Sequence, residues 1–289
     1  MDPRLTDLMQ LLDLTPTGAM AFRGESRDIG TPQVFGGQVL GQALIAAART
    51  VKDRTVHSLH AYFLARGDVA EPITYEVDPA RDGGNFSNRR VTAIQHGRQI
   101  FNLAASFQRP EEGLEHQPTR PDVPGPDGLP DMVELARQAG PVLPARIARF
   151  VRLQRPVIVK PVDPARFLAE ERMDPIKRFW VKTVGDLPDD PLLHQALLAY
   201  ISDYELLGTA ILPHGLSATR RNLQVASLDH AMWFHRAARV DDWLLFDLDS
   251  PSASGARGLA RGQVFSADGR LVASLAQEGL MRHVERNPA

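Results

Sequence analysis

The chain has 289 residues, of which 43% are hydrophobic and 24% are charged, and its formal net charge is -2. This length and hydrophobic content suffice for one large domain or two ordinary domains with packed cores. The near-neutral charge excludes the basic surface typical of nucleic-acid-binding proteins, so we expect no nucleic-acid partner. The absence of cysteine excludes disulfides, thiol nucleophiles and cysteine metal sites.

The first 18 residues predict a short amphipathic helix. They lack the basic and then apolar segments of a signal peptide, and no later stretch approaches the length of a membrane span. The last four residues, "RNPA", do not form a peroxisomal Ser-Lys-Leu address. We therefore expect a cytoplasmic protein without a membrane partner.

Next along the chain, Gly36 and Gly37 open the helical run "GGQVLGQALIAAARTV", and the strand-like segments "HSLHAYFLARGD" and "GRQIFNLAASFQ" follow. The segment "QPTRPDVPGPDGLPDM" then carries five prolines among Gly and Asp, a composition typical of an extended linker. A further helix is predicted at about 130–150. These features predict an N-terminal unit at 1–117, a linker with its helix at 118–150, and a C-terminal unit at 151–289.

The C-terminal unit repeats this order. A helix is predicted over "PLLHQALLAYISDYELLGTA", the strand-like "ASLDHAMWFHR" follows, and "GRLVASLAQEGL" closes the unit. The spans from Ser58 to Gly97 and from Ser227 to Gly269 are similar in length, which favours an internal repeat over two unrelated domains. A long helix followed by strands with Asp-Gly hairpin signals predicts an α+β fold, with two such units forming a pseudo-dimer in one chain.

Three polar side chains interrupt apolar patterns in the C-terminal unit. Asp203 lies in the middle of the apolar stripe of the predicted helix, where burial raises a carboxyl pKa. It is either a functional acid or one that caps or pairs internally at the seam between the units. Gln277 shares a strand face with apolar neighbours, and Ser227 gains weight only by association with these two. Glu205 falls outside the stripe and is expected to be solvated.

Other catalytic patterns are poorly supported. "GLSAT" lacks the second glycine of a nucleophile elbow, and no H-E-x-x-H or G-x-G-x-x-G motif is present. His57 and His60 point to opposite faces of their strand, as do His230 and His235, which argues against a zinc site. His60 and His230 occupy matching places in the proposed repeat, and structural hydrogen bonding is favoured over catalysis for both.

Several long segments closely resemble the acyl-CoA thioesterase II (TesB-type) family, among them "VFGGQVLGQAL", "VHSLHAYFLARGD", "SLDHAMWFHR", "DDWLLFDLDSPSASGARGLARG" and "LVASLAQEGLMR". The resemblance implies a double hotdog fold, in which each half wraps an antiparallel sheet around a long helix. It also implies hydrolysis of fatty acyl-CoA to a free fatty acid and CoA, without a metal or an organic cofactor.

The family's water-holding Asp, Thr or Ser, and Gln map onto Asp203, Ser227 and Gln277, with serine at the position where the bacterial prototype carries threonine. Aligning Gly97 with Gly269 places Ala105 opposite Gln277, so the first unit lacks these groups. Proximity to the family motifs makes four arginines candidates for CoA phosphate binding: Arg89, Arg90, Arg257 and Arg261.

Two rival functions remain open from the sequence. A hotdog dehydratase would need a paired His and acid, and a catalytically silent acyl-CoA binder would not need the three polar groups. Exposed sheet edges invite pairing, so we expect a homo-oligomer, either a dimer or a tetramer.

Overall fold

A computed structural model describes residues 1–31, 33–139, 155–164, 166, 171–216 and 223–284. The helices are α1 Pro3–Leu12, α2 Gly36–Ala48, α3 Met132–Ala139, α4 Pro191–Ser202 and α5 Leu206–Ile211. The strands are β1 Thr15–Gly18, β2 Ala21–Gly24, β3 Thr55–Phe63, β4 Ile73–Asp82, β5 Phe86–Gln95, β6 Arg98–Gln108, β7 Val157–Pro161, β8 Ile176–Thr183, β9 Leu223–Ser227, β10 Asp229–Phe234, β11 Leu244–Ser254, β12 Arg257–Ser266 and β13 Leu271–His283.

The described strands form one antiparallel sheet whose order is nearly symmetric. The order is β1-β2-β4-β5-β6-β3 in the first unit and β10-β13-β12-β11-β8-β7 in the second, and β9 pairs with β13. The two units join where β3 lies beside β10, with His60 opposite Ala231. The predicted α+β fold and the double hotdog pseudo-dimer are confirmed.

Both hairpin predictions are also confirmed. The turn after Asp82 joins β4 to β5, and the turn at Gly269 joins β12 to β13. Gly269 has φ 91, in the left-handed region that glycine adopts without a steric cost. The turn at Gly269 sets the register that aligns Gln277 with Ala260, and the turn at Gly97, between β5 and β6, sets the register that aligns Ala105 with Arg89.

The central helices α2 and α4 are buried between the halves of the sheet and run antiparallel to each other. Almost every residue of α2 is buried, as expected for a largely apolar helix without a charged side chain. A Cβ atom at Gly37 would lie 2.2 Å from the backbone O of Tyr200, and one at Gly41 would lie 3.0 Å from that of Ala196. These glycines therefore permit the helices to approach closely enough for the start of α2 to meet the end of α4.

The helix predicted over 191–210 is interrupted. Helix α4 begins correctly, since Asp190 caps it and Pro191 occupies its first position. It ends at Ser202, and α5 begins only at Leu206, because Glu205 has φ 64, a left-handed conformation that a helix cannot continue through. Asp203 therefore lies at the C-cap of α4, and its predicted position in the middle of a helix was wrong.

The Pro-rich segment lacks regular structure, as predicted, but it packs on the outer face of the C-terminal sheet. Val123 and Leu129 contact a second apolar cluster formed by Trp180, Leu245, Phe265 and Leu271. The indole N–H of Trp180 donates to the backbone O of Pro124 at 2.8 Å. The sheet of the second unit is thus covered on both faces. The predicted helix at 130–150 is described only as α3, and the rest lies outside the described residues.

Candidate active site

Asp203 lies where the C-terminal end of α4 meets the N-terminal end of α2. Its Oδ2 accepts a hydrogen bond of 3.0 Å from the backbone N–H of Gly37, and its Oδ1 accepts one of 2.6 Å from Nε2 of Gln277. The positive end of the α2 dipole and the two donors favour the carboxylate, whereas the α4 terminus opposes it. Burial dominates these effects and raises the pKa of Asp203 to about 6.

Gln277 is held by a chain of hydrogen bonds that fixes the orientation of its amide. The side chain is 1% exposed. Besides donating to Asp203, Nε2 lies 3.4 Å from Nδ1 of His230, whose Nε2 is 2.9 Å from Oγ of Ser202. Ser202 in turn donates to the backbone O of Ala199 at 2.8 Å. Because the Ser202 hydroxyl donates to Ala199, it accepts from Nε2–H of His230. Nδ1 of His230 is then an acceptor, so the side chain of Gln277 turns its NH₂ group toward both His230 and Asp203.

His230 is neutral in this network, because desolvation lowers its pKa to about 3. Its burial and partners fit the structural hydrogen-bonding role favoured from the sequence. The matching of His60 with His230 was wrong. His60 pairs with Ala231 and is exposed, so the two histidines lie on opposite faces of the sheet.

Ser227 lies on the strand beside Gln277. It pairs with Gly279 on β13, and Gly279 shares a sheet face with Gln277, two positions earlier. Directly opposed residues of antiparallel strands point the same way, so the Ser227 and Gln277 side chains share that face. Ser227 is half-buried. The catalytic roles predicted for Asp203, Ser227 and Gln277 stay predictions, while the close approach of Asp203 and Gln277 is a direct contact.

Two cavities border this cluster. The larger, of about 600 Å³, is lined by Asp203, Tyr204 and Glu205 together with Phe35, Arg155 and the apolar residues 157–159. The smaller, of about 240 Å³, is lined by Gly36, Ser227 and Phe63, with Arg66 as its cation among the described residues. A Cβ atom at Gly36 would lie 2.6 Å from Oδ2 of Asp203. The carboxylate thus stands between the two cavities, separated from the smaller one by a residue without a side chain.

In the N-terminal unit, an arginine side chain fills the place that Gln277 occupies in the C-terminal unit. Ala105 opposes Arg89 just as Gln277 opposes Ala260. The Arg89 guanidinium is 3% exposed and donates to Oγ1 and O of Thr50, near the end of α2, and to Asp82. This geometry contradicts a role for Arg89 in phosphate binding, because its donors already have partners within the fold.

The other three candidate arginines lie on the surface, where each pairs with an acid. Arg90 lies 3.8 Å from Asp78, Arg257 lies 2.9 Å from Glu278, and Arg261 lies 2.6 Å from Asp249. None of them lines either of the two cavities beside Asp203. Their assignment to CoA stays a prediction.

Comparison with known proteins gives matches over nearly the whole chain. A family model described as "Acyl-CoA thioesterase" matches residues 148–280, and one described as "Acyl-CoA thioesterase N-terminal domain" matches residues 23–108. Acyl-CoA thioesterase 2 of Haemophilus influenzae is 42% identical over 97% of this chain and 99% of its own length. The chain belongs to the acyl-CoA thioesterase family. It is accordingly an enzyme of the thioester hydrolase class.

Other acyl-CoA thioesterases agree with this placement. Acyl-coenzyme A thioesterase 8 of Homo sapiens is 41% identical over 97% of this chain and 90% of its own. The crystal structure of acyl-CoA thioesterase II TesB2 from Mycobacterium marinum matches with a TM-score of 0.78 and 43% identity, covering 96% of this chain and 98% of that one. A hot dog fold protein from Alicyclobacillus acidocaldarius, at 21% identity and a TM-score of 0.76 over 98% and 99% of the chains, shows the shared fold alone.

Sequence reasoning missed several residues around the thioesterase site. Arg155 lines the larger cavity with its guanidinium carbon 5.5 Å from the centre of the Tyr204 ring, and Arg66 lines the smaller cavity. Arg66 stands within the quoted "FLARGD" segment, so a search of cations inside the family motifs could have found it. Glu205, expected to be solvated, pairs with the buried Lys177 at 2.6 Å, so that expectation was wrong.

Two further observations concern the described part of the chain. No group of three or more His, Asp or Glu side chains there is arranged to hold a metal ion. No helix in those residues is long and apolar enough to cross a membrane.

Proposed function

We propose that this chain hydrolyses fatty acyl-CoA thioesters by direct attack of a water molecule on the thioester carbonyl. Asp203 is the general base, and Ser227 and Gln277 hold the water. The observation that supports this most is the Asp203 carboxylate itself, which stands between two cavities, accepts two hydrogen bonds and has a pKa of about 6. Such a carboxylate is ionised near neutral pH yet basic enough to accept a proton.

The reaction balances without a covalent enzyme intermediate. The water oxygen forms a bond to the carbonyl carbon as Asp203 takes a proton, and collapse of the tetrahedral intermediate breaks the carbon–sulfur bond. The departing CoA sulfur takes up a proton, which Asp203 can return. The products are a free fatty acid and CoA.

We assign stabilisation of the oxyanion to the start of α2. The amide of Gly37 is already engaged with Asp203 at 3.0 Å, so it is not the free donor. Gly36, one position earlier, lines the smaller cavity, and its lack of a side chain lets a substrate approach the backbone. In other enzymes, a preorganised N–H that binds the oxyanion raises the rate roughly 100-fold to 1,000-fold.

The dehydratase alternative is less well supported. A dehydratase would pair an acid with a histidine that faces the substrate. His230 is 1% exposed, neutral, and separated from Asp203 by the amide of Gln277. Among the described residues, it contacts the polar network behind the cavities and lines neither of the two cavities beside Asp203.

A thiol-release assay with a series of acyl-CoA chain lengths tests the proposal. We expect CoA release that depends on Asp203, and reaction in water enriched in ¹⁸O should place the label in the released acid. A trappable acyl-protein would contradict direct water attack. Absence of thiol release with every acyl-CoA would favour the silent binder.

We also propose that the chain forms a homo-oligomer, a dimer or a tetramer, and resides in the cytoplasm. Light scattering after size-exclusion chromatography tests the first proposal, and a single monomeric mass would contradict it. Fractionation of cells that express the native gene tests the second proposal.

A further inference from the structure

The turn between α4 and α5 holds a non-glycine residue in a backbone conformation that glycine favours. Glu205 has φ 64 and ψ -5. L-residues other than Asn and Asp adopt this left-handed region rarely, because Cβ approaches the backbone carbonyl. Such conformations persist only where surrounding contacts hold them, and they concentrate at functional sites.

An ion pair joins this turn to a buried lysine. Nζ of Lys177, on β8, lies 2.6 Å from Oε2 of Glu205, and the two side chains are 6% and 29% exposed. The pair crosses directly over Gly208, where a Cβ atom would lie 2.8 Å from Oε2 of Glu205 and 2.9 Å from Nζ of Lys177. The absence of a side chain at position 208 makes room for the pair.

The same turn carries Asp203. Asp203 is two residues before Glu205, and both line the larger cavity. The turn is closed by hydrogen bonds from the Tyr204 N–H to Ile201 O at 3.0 Å and from the Thr209 N–H to Glu205 O at 2.9 Å. A shift of the backbone at 205 would therefore move the carboxylate away from Gly37 and Gln277.

We propose that Lys177 is a positioning residue: its ion pair with Glu205 holds the left-handed turn that directs the Asp203 carboxylate to Gly37 and Gln277. The pair also neutralises a second carboxylate at the cavity edge, which would otherwise repel a charged Asp203. The kinetic part of this inference rests on the proposed function.

The other ionisable groups around Asp203 come from the turn, from α4, from β10 and from the segment before β7. Tyr204, on the turn, interacts with Asp203, and Arg155 lies over the Tyr204 ring. Tyr200, on α4, contacts Tyr204, and His230, on β10, reaches Asp203 only through Gln277. Arg155 also interacts electrostatically with Glu205, and it is unchanged in each variant. A change in the titration of Asp203 after a substitution at position 177 therefore reports on the ion pair.

The test compares Lys177→Met with the double variant Lys177→Met/Glu205→Gly. Misplacing the carboxylate in Lys177→Met should lower kcat about tenfold or more while KM changes less than about threefold. The unpaired Glu205 should raise the pKa of Asp203 by about 0.5 to 1, read from the ¹³C signal of its carboxyl group. The double variant should recover both values, because glycine adopts the left-handed conformation freely and leaves no unpaired acid.

Arg178→Met is the matched control, since Arg178 is the next residue on β8 and pairs with Asp247 at 2.7 Å. It should leave kcat and the Asp203 titration unchanged. Where Lys177→Met does not fold, Glu205→Gln removes the charge at the other end of the pair. It should lower kcat in the same way, but it should lower the pKa of Asp203, because it leaves an unpaired cation near the carboxylate.

A folded Lys177→Met or Glu205→Gln protein with the original kcat and the original Asp203 titration would overturn the inference. A loss in Lys177→Met that the double variant fails to recover would also overturn it. If the unaltered chain releases no thiol, the proposed function fails. The titration of the Asp203 carboxyl group is then the measurement that tests whether Lys177 is a positioning residue.

Discussion

Gln277 donates a hydrogen bond of 2.6 Å to Asp203 across 74 positions of the chain. The donor lies in the middle of β13, and the acceptor follows the last residue of α4. The contact joins the sheet to the central helix at the place where the first unit contributes its own donor, the N–H of Gly37. Both oxygens of the carboxyl group are thereby oriented before any substrate arrives.

Asp203→Asn should reduce turnover by about 100-fold to 10,000-fold, because an amide cannot accept a proton from water. Steady-state thiol release measures the loss, and circular dichroism checks that the fold is retained. Asp268→Asn, in the exposed turn between β12 and β13, is the matched control and should retain full activity. Full activity in Asp203→Asn would exclude this residue as the base.

The pH dependence of kcat should show an acid limb with a midpoint near pH 6, where Asp203 becomes protonated and can no longer act as a base. Activity should therefore fall as the pH drops below about 6, and the limb should be missing from the residual activity of Asp203→Asn. A limb near pH 4, the range of an ordinary carboxyl, would show that the environment does not raise this pKa.

The same raised pKa predicts a linkage between pH and stability. Between the unfolded value of 3.8 and the folded value of about 6, the folded state binds more protons than the unfolded state. The free energy of unfolding contributed by Asp203 should fall as the pH rises through this window, by at most about 3 kcal/mol. Urea unfolding of the unaltered chain and of Asp203→Asn at pH 4, 5, 6 and 7 gives the free energy of unfolding as a function of pH. The difference between the two proteins in the slope of this function measures the contribution of Asp203. His230 titrates in both proteins and cancels in this difference.

Ser227 offers a test of the hydroxyl. Ser227→Ala should lower kcat about tenfold or more because one of the proposed contacts to the water is lost, whereas Ser227→Thr should retain activity because the hydroxyl is kept. The added methyl group restricts the χ1 rotamers of threonine and therefore favours a fixed position of the hydroxyl. Equal activity of the alanine and serine proteins would remove Ser227 from the site.

His230→Leu tests the network behind the site. It leaves the amide of Gln277 without an acceptor at Nδ1, so we expect the free energy of unfolding to fall by about 1 to 3 kcal/mol. Turnover should fall less than in Asp203→Asn, because the base itself is retained. His60→Leu, on the opposite and exposed face, is the comparison and should change neither quantity appreciably.

Arg89→Met and Arg90→Met separate a structural arginine from a possible substrate contact. Loss of the charged hydrogen bonds from Arg89 to Thr50 and Asp82 should lower the free energy of unfolding by roughly 2 kcal/mol. Arg90→Met should leave stability nearly unchanged, since its 3.8 Å ion pair is exposed on both sides. A higher KM in Arg90→Met alone would support the predicted CoA contact.

The sequence allowed the repeat, the hairpins and the polar cluster to be predicted, because each has a local signature. Asp203 and Gln277 stood out as polar residues inside apolar patterns of period 3.6 and 2. The break after Ser202 had no such signature, because Glu205 is held left-handed by Lys177, a residue 28 positions away. Tertiary contacts here override the helical pattern of the surrounding residues.

The contacts of Arg89 and of the linker could not be predicted from the sequence either, because they also join segments that are distant in the chain. Arg89 is structural because Thr50 and Asp82 come from other segments to meet it. Prolines indicated that 118–130 would lack hydrogen-bonded structure, but not that Val123 and Leu129 would cover Trp180 and its neighbours. Composition predicts the local conformation of such a segment and not its packing partner.

The position of Arg89 in the N-terminal unit has a consequence for the number of substrate molecules that one chain binds. A pair of identical hotdog subunits would offer two equivalent centres, whereas Arg89 and Ala105 occupy the second place here, so the described residues form one proposed centre. A tight-binding, non-hydrolysable acyl-CoA analogue should therefore saturate at one equivalent per chain. The two units are nevertheless inseparable, because cutting the chain at the linker would place Gly37 and the carboxylate that it holds on different polypeptides.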